Sequence, residues 1–279
     1  MINDNLRTII DKNKERNSLY LRNLLKEQLQ LYILNYIYNS SYGERFLFKG
    51  GTCLRYCFDL PRLSEDLDFD IKNYSQFDHN QFAYDIQNYF RTKLKYQDIG
   101  LRISGKNKIL YVIFPILNKV NFPVRIDKPS ENNLFVRIDT SNIRGKHYSE
   151  EVSLKSTYDF SFVIKRYSLP DMYAGKLAAI ISREKWEGNE KQARFKGRDY
   201  FDIFWLDSKK IVPNIPYLQS ILNIDSKEKI VKLLKEKLKE AGKRKQELKD
   251  DLFPFFSQEQ FVKNFIDSFT SFSKNYSLK

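Results

Sequence analysis

Residues 49–70 read KGGTCLRYCFDLPRLSEDLDFD, and the order of groups in this stretch decides the fold. The apolar run Phe46-Leu47-Phe48 before it reads as a strand, and Gly50-Gly51 follow at once. A helix-and-turn-sized insert, residues 52–64, leads into Asp66-Leu67-Asp68-Phe69. Residues two apart in a strand share a face. Asp66 and Asp68 are therefore expected on one side, with Leu67 and Phe69 pointing into the core. Two carboxylates held so closely repel each other unless a cation sits between them. Oxygen-preferring Mg²⁺, with Mn²⁺ as a substitute, suits such a pair, and phosphate oxygens would complete its shell. The paired glycines allow a backbone with exposed N–H groups to approach phosphate closely. A phosphate cradle beside a metal-binding acidic pair implies phosphoryl- or nucleotidyl-transfer chemistry. Taken singly, Gly-Gly is an ordinary turn and Asp-x-Asp a solvated strand end. Their order, with a short helix predicted between two strands, favours the joint reading.

Composition narrows the class. The 279 residues suffice for one large domain or two smaller ones with a proper core. A 42% hydrophobic and 15% aromatic content excludes a disordered chain. No apolar run approaches the ~20 residues of a membrane span, and the polar start MINDNLRTIIDKNKERN does not read as a signal peptide. Cys53 and Cys57, the only cysteines, are four apart on one predicted helix, which suits a helix face rather than a disulfide framework or structural zinc. With His79 and His147 the only histidines, His-based catalysis is disfavoured. A cytoplasmic enzyme is the expectation. The net charge of +13 attracts polyanions by counterion release. Biased lysine usage is the bland explanation, but a core that calls for a polyphosphate substrate favours nucleic-acid binding.

Along the chain, residues 5–40 read as two helices broken near 14–17, with Leu21, Leu24, Leu25, Leu29, Leu31, Ile33 and Ile37 as a broad apolar stripe. A helix is predicted over 77–95, and strands over 101–103, 109–114, 134–139 and 158–164. The echo VRID at 124–127 and 136–139 suggests hairpin partners. Helices follow over 170–186, 197–208, 227–249 and 258–272. A boundary between residues 150 and 169 divides a mixed α+β core, 1–155, from a mainly helical region, 156–279.

The pattern Gly50-Gly51-Thr52, then Arg62-x-Ser64-x-Asp66-Leu67-Asp68-Phe69, resembles the first motif of the AbiEii/AbiGii toxin family. These are polymerase-β-like nucleotidyltransferases of abortive-infection and toxin–antitoxin modules, to which the MenT toxins are similar. Residues 170–179, PDMYAGKLAA, resemble the family's helix with an acid and an essential lysine; residues 197–203, GRDYFDI, resemble its Arg-Asp-x-x-Asp motif. The resemblance spans residues 20 to 210, and the segment 184–195 is more charged than it leads one to expect. It implies transfer of an NMP from an NTP to a hydroxyl, on RNA such as tRNA, and a cognate antitoxin as partner. Modification of a protein or small molecule, or a non-catalytic nucleotide- or RNA-binding module, are the alternatives.

The resemblance also implies roles. Asp66 and Asp68 would hold the metal, and a third carboxylate on a neighbouring strand would complete the site; Asp139 is the candidate and Asp127 the alternative, either of which reads equally as a turn residue. Lys49, Gly50, Gly51, Thr52, Ser64 and Lys176 would contact nucleotide. Lys176 lies in an otherwise apolar helix, where its charge needs a partner anion; a triphosphate or Asp171 would serve, as would snorkelling to solvent. Asp199 corresponds to an essential acid, while Arg62, Asp171, Arg198 and Asp202 would brace the site. Trp186 with Lys185, Lys191, Arg194 and Lys196 reads either as an RNA clamp or as a solvated mobile loop.

Overall fold

The computed structural model describes residues 2–278 other than 106–107, 125–128, 183, 188–189 and 194, with backbone alone at 129–130, 184–187 and 190–193. Two compact units emerge, one formed by Met1–Ile143 with Val152–Arg166 and the other by Arg144–Glu151 with Tyr167–Lys279. The chain passes between them after Ile143, after Glu151 and after Arg166.

The first unit opens with helices α1 (Ile2–Lys12) and α2 (Ser18–Tyr38), and Asn17 caps α2 by accepting from the Tyr20 N–H. A mixed sheet follows, built from β1 (Phe46–Lys49), β2 (Asp66–Ile71), β3 (Gly100–Ser104), β4 (Ile109–Pro115), β5 (Asn133–Asn142), β6 (Glu150–Ser156) and β7 (Ser161–Tyr167). Its order is β3-β4-β5-β2-β1-β7-β6. Helix α3 (Gly50–Phe58) links β1 to β2, and α4 (His79–Asn88), extended by a π-turn over Tyr89–Lys93, precedes β3. Alternation sorts the side chains. Leu67, Phe69 and Ile71 of β2, Leu110, Val112 and Phe114 of β4, and Leu134, Val136 and Ile138 of β5 are buried together with Leu25, Leu29 and Ile33 of α2. Phe48 and Phe69 stack at 5.0 Å in this core. β5 pairs with β2 in parallel and with β4 antiparallel. Both of its edges are thus occupied, while residues 125–127 of the suggested hairpin between 124–127 and 136–139 lie outside the described residues.

The second unit is mainly helical: α5 (Leu169–Ser182), α6 (Gly197–Ser208), α7 (Ile215–Leu222), α8 (Lys227–Ala241), α9 (Lys245–Leu252) and α10 (Glu259–Asn275). Phe201 meets Phe256 and Phe265 edge-to-face, and Phe265 meets Phe269 at a 40° tilt, a cluster that joins α6 to α10. Two short strands, β8 (Glu184–Glu187) and β9 (Glu190–Ala193), pair as an antiparallel hairpin, so the segment expected as a loop has ladder structure. Their side chains, those of Lys185, Trp186 and Lys191 included, lie outside the described residues, as do Arg194 and Asp127 entirely. Among the described residues no helix is long and apolar enough to cross a membrane.

Candidate active site

The centre of the first unit is a row of polar side chains on the open face of the sheet. Asp66 and Asp68 are half-buried there, while Leu67 and Phe69 are fully buried behind them. Register aligns Asp68 with Lys49 of β1 on one side and with Asp139 of β5 on the other. Cross-strand partners share a face, so Asp66, Asp68 and Asp139 lie on the same side of the sheet. Asp139 accepts from Arg137 Nη2 at 2.9 Å. Burial works against the Arg137 charge, yet the Asp139 and Asp66 carboxylates hold its pKa above the ordinary guanidinium value.

Asp70 continues the same face and escaped the sequence reading. It is 2% exposed and accepts at Oδ1 from Lys49 Nζ and from Ser141 Oγ, each at 2.6 Å. Lys49, expected to meet phosphate, thus braces β1 to β2 and β5, and it donates to Ser141 Oγ as well at 3.0 Å. The signal for Asp70 was the alternation itself, since Asp66, Asp68 and Asp70 are successive residues of one strand face.

α3 begins at Gly50, whose φ of +81° is a left-handed conformation that favours glycine. A Cβ there would stand 2.1 Å from Asp68 Oδ2; one at Gly51 would stand 2.6 Å from Arg62 Nη2 and 2.8 Å from Ser64 Oγ. The two glycines let the helix N-terminus close directly onto an acid and onto a buried Arg–Ser pair. No side chain of Lys49, the residue before the helix, caps its first N–H groups, and such a terminus favours anions. Thr52 is fully buried and its hydroxyl donates to the Asp66 carbonyl. It ties α3 to the strand that carries the acids. Arg62, 2% exposed, donates through Nη1 to the Leu63 carbonyl, and Gln30 Nε2 donates to the Ser64 carbonyl. These contacts fix the turn that delivers β2.

On α3, Cys53 is buried and Cys57 half-buried, both as free thiols. Burial pushes the Cys53 thiol well up. A hydrogen bond from Cys53 lowers Cys57, helped by the nearby Arg166 and opposed by burial.

In the second unit, Lys176 of α5 is clasped by α6. Its Nζ stands 3.0 Å from Asp199 Oδ1 and 2.7 Å from Asp202 Oδ2, with the lysine side chain 11% exposed and the acids 4% and 0%. Asp199 and Asp202 are three apart, hence on one face of α6. Asp171 belongs to a different network. It accepts from the Ser149 N–H, from Ser168 Oγ and from Asn214 Nδ2, so it pins the start of α5 to two loops. Arg198 turns to α9, with its backbone N–H donating to Asp251 and its guanidinium 4.2 Å from the Phe255 ring centroid.

Among the described residues no three His, Cys, Asp or Glu side chains are grouped so as to hold a metal ion by themselves. Two half-buried carboxylates facing a helix N-terminus nevertheless fit Mg²⁺, an ion that commonly takes one or two protein carboxylates and fills its shell with phosphate oxygens and water. The donor set is all oxygen, and the adjoining cradle favours anions.

Comparison with known proteins bears on the fold and the family. The MenT4 nucleotidyltransferase toxin of Mycobacterium tuberculosis H37Rv superposes with a TM-score of 0.60 at 14% identity, covering 97% of this chain and 90% of its own. JHP933 from Helicobacter pylori gives a TM-score of 0.45 at 16% identity over 90% of this chain and 91% of its own. No curated protein matches the chain by sequence. The first likeness shows that the fold is that of a nucleotidyltransferase toxin. The sequence profile of the nucleotidyl transferase AbiEii toxins, of type IV toxin–antitoxin systems, matches residues 32–277. With the glycine cradle, the acidic strand face and a profile spanning most of its length, the chain belongs to the AbiEii nucleotidyltransferase toxin family.

Proposed function

We propose that this protein transfers an NMP from an NTP to an acceptor hydroxyl on RNA, with tRNA as the expected class, in the cytoplasm and as the toxin of a pair whose antitoxin is encoded with it and acts in abortive infection. The observation that carries this reading is the apposition of Asp66, Asp68 and Asp139 on one sheet face beside the Gly50–Gly51 helix start. Asp66 and Asp68 would hold Mg²⁺, or Mn²⁺, which when bound neutralises charge on the triphosphate and the departing pyrophosphate. The N–H groups at the start of α3 take phosphate oxygens, and Ser64 Oγ, beside Gly51, is a further donor. Asp139 accepts the proton of the attacking hydroxyl, and Arg137 holds that carboxylate in the orientation required. The hydroxyl oxygen bonds to the α-phosphorus as the bond to pyrophosphate breaks. Lys176 is proposed as a nucleotide-phosphate ligand whose ammonium is poised by Asp199 and Asp202.

The +13 charge supports a polyanionic acceptor. The test is incubation of purified protein with each labelled NTP, Mg²⁺ and total RNA. A labelled tRNA-sized band is expected for at least one NTP. Label confined to a protein band, with no RNA product for any NTP, would replace RNA by a protein acceptor.

A further inference from the structure

The open sheet face continues past the acids toward the β3 edge, and its composition changes from acidic to aromatic and cationic. Register sets four residues in one transverse row, Arg102 on β3, Tyr111 on β4, Arg137 on β5 and Asp66 on β2. All four share the face that carries Asp68 and Asp139, since the alternate residues Leu110, Val112, Val136 and Ile138 are buried behind it. The Arg102 guanidinium lies 4.6 Å from the Tyr111 ring centroid; Arg102 is exposed and Tyr111 half-buried. Phe135, one step along β5 on the same face, is 37% exposed. Arg137 uses Nη2 on Asp139 while its buried Nε has no hydrogen-bond partner among the described residues.

A stacked Arg–Tyr pair presents a flat, cationic, polarisable surface, the kind on which an unpaired base stacks. Adjacent strands lie ~4.8 Å apart, so Tyr111 is two strands, roughly 10 Å, from Asp66. A single nucleoside bridges such a gap with its base on the platform and its ribose at the acids. We propose that Arg102 and Tyr111 form the stacking platform for the terminal nucleotide of a polynucleotide acceptor, with Phe135 extending it and Arg137 donating to the adjoining phosphate. The inference rests on the RNA-transfer reading above. It assigns the acceptor to the β3–β5 half of the face and leaves the triphosphate at the start of α3.

The measurement is the rate of nucleotide transfer to total tRNA as a function of tRNA concentration, alongside NTP-induced thermal shift for each folded variant. Arg102→Ala and Tyr111→Ala are each expected to raise KM for tRNA about tenfold, the scale of one lost base stack, with kcat at saturating tRNA and the NTP shift unchanged. Tyr111→Phe keeps the ring and is expected to keep the parental KM. Arg102→Lys keeps the charge but not the plane, and should behave as Arg102→Ala does. Parental KM in both alanine variants would overturn the platform while leaving RNA transfer standing. Full rescue by Arg102→Lys would also overturn it, in favour of charge alone. A parent protein that labels no RNA at all would remove the functional reading and the platform with it.

Discussion

Gly50 makes the closest approach of any glycine among the described residues, because the helix start and the Asp68 carboxylate occupy space that no side chain at position 50 could share. Gly50→Ala puts a Cβ 2.1 Å from Asp68 Oδ2 and forces an L-residue into φ +81°. A loss of about 1–2 kcal/mol is expected from the backbone alone, and transfer should fall further than stability because Asp68 must move. Denaturant unfolding measured beside the transfer rate checks this; a fully active Gly50→Ala protein would show that Asp68 is not held against the cradle. The two thiols of α3 separate in the same way. Cys57 has its pKa lowered by the Cys53 hydrogen bond and Arg166, while burial raises that of Cys53. As reactivity follows the thiolate, iodoacetamide at neutral pH is expected to modify Cys57 first, with peptide mapping as the readout. Faster modification of Cys53 would contradict the assigned environment.

Elements hold the second polar centre together. Lys176 on α5 is buried between Asp199 and Asp202 on α6. Lys176→Met leaves two buried carboxylates without a cation, for which a loss of about 3–5 kcal/mol is expected. Adding Asp199→Asn and Asp202→Asn should recover part of it. If Lys176→Met melts like the parent, the trio contributes nothing to the fold. Asp171→Ala, which strips acceptors from three donors near the start of α5, is expected to cost about 2–4 kcal/mol, and thermal melts would read it. These elements also show how far the sequence carried. The break between α1 and α2, the strand–helix–strand around Gly50, and α6 over Gly197–Ser208 were legible from the apolar periodicity, the glycine pair and the motif at 197–203. The single helix expected over 227–249 is two, parted at Gly242, where a Cβ would stand 2.7 Å from Ser273 Oγ. That tertiary approach leaves no mark in an unbroken amphipathic pattern. β6 went unseen because Val152 and Leu154 are 63% and 71% exposed, so its apolar residues mark no core. α7 was not predicted, although Pro216 suits its first turn. At the candidate site, parity alone aligned Asp66 with Asp68, whereas the register that brings Asp139 opposite Asp68 is a long-range pairing no local pattern encodes.

Across the whole molecule, +13 of net charge exceeds what one nucleotide requires. Binding of tRNA is expected to weaken steeply with salt, by about 10³-fold between 50 and 200 mM if six phosphates are contacted; a flat salt dependence by fluorescence anisotropy would argue against an extended polyanion. The central claim, that the open face of β2 is the transfer centre, is tested most directly by comparing Asp68→Asn with Asp70→Asn in Mg²⁺-dependent NTP transfer, each normalised to folded protein. Asp70 is a buried brace for Lys49 and Ser141, so its variant should melt earlier yet keep its activity per folded molecule. Asp68→Asn should melt as the parent does and lose about 10³-fold in rate, the equivalent of several kcal/mol of lost charge stabilisation. A folded Asp68→Asn protein that transfers nucleotide at the parental rate would contradict the account.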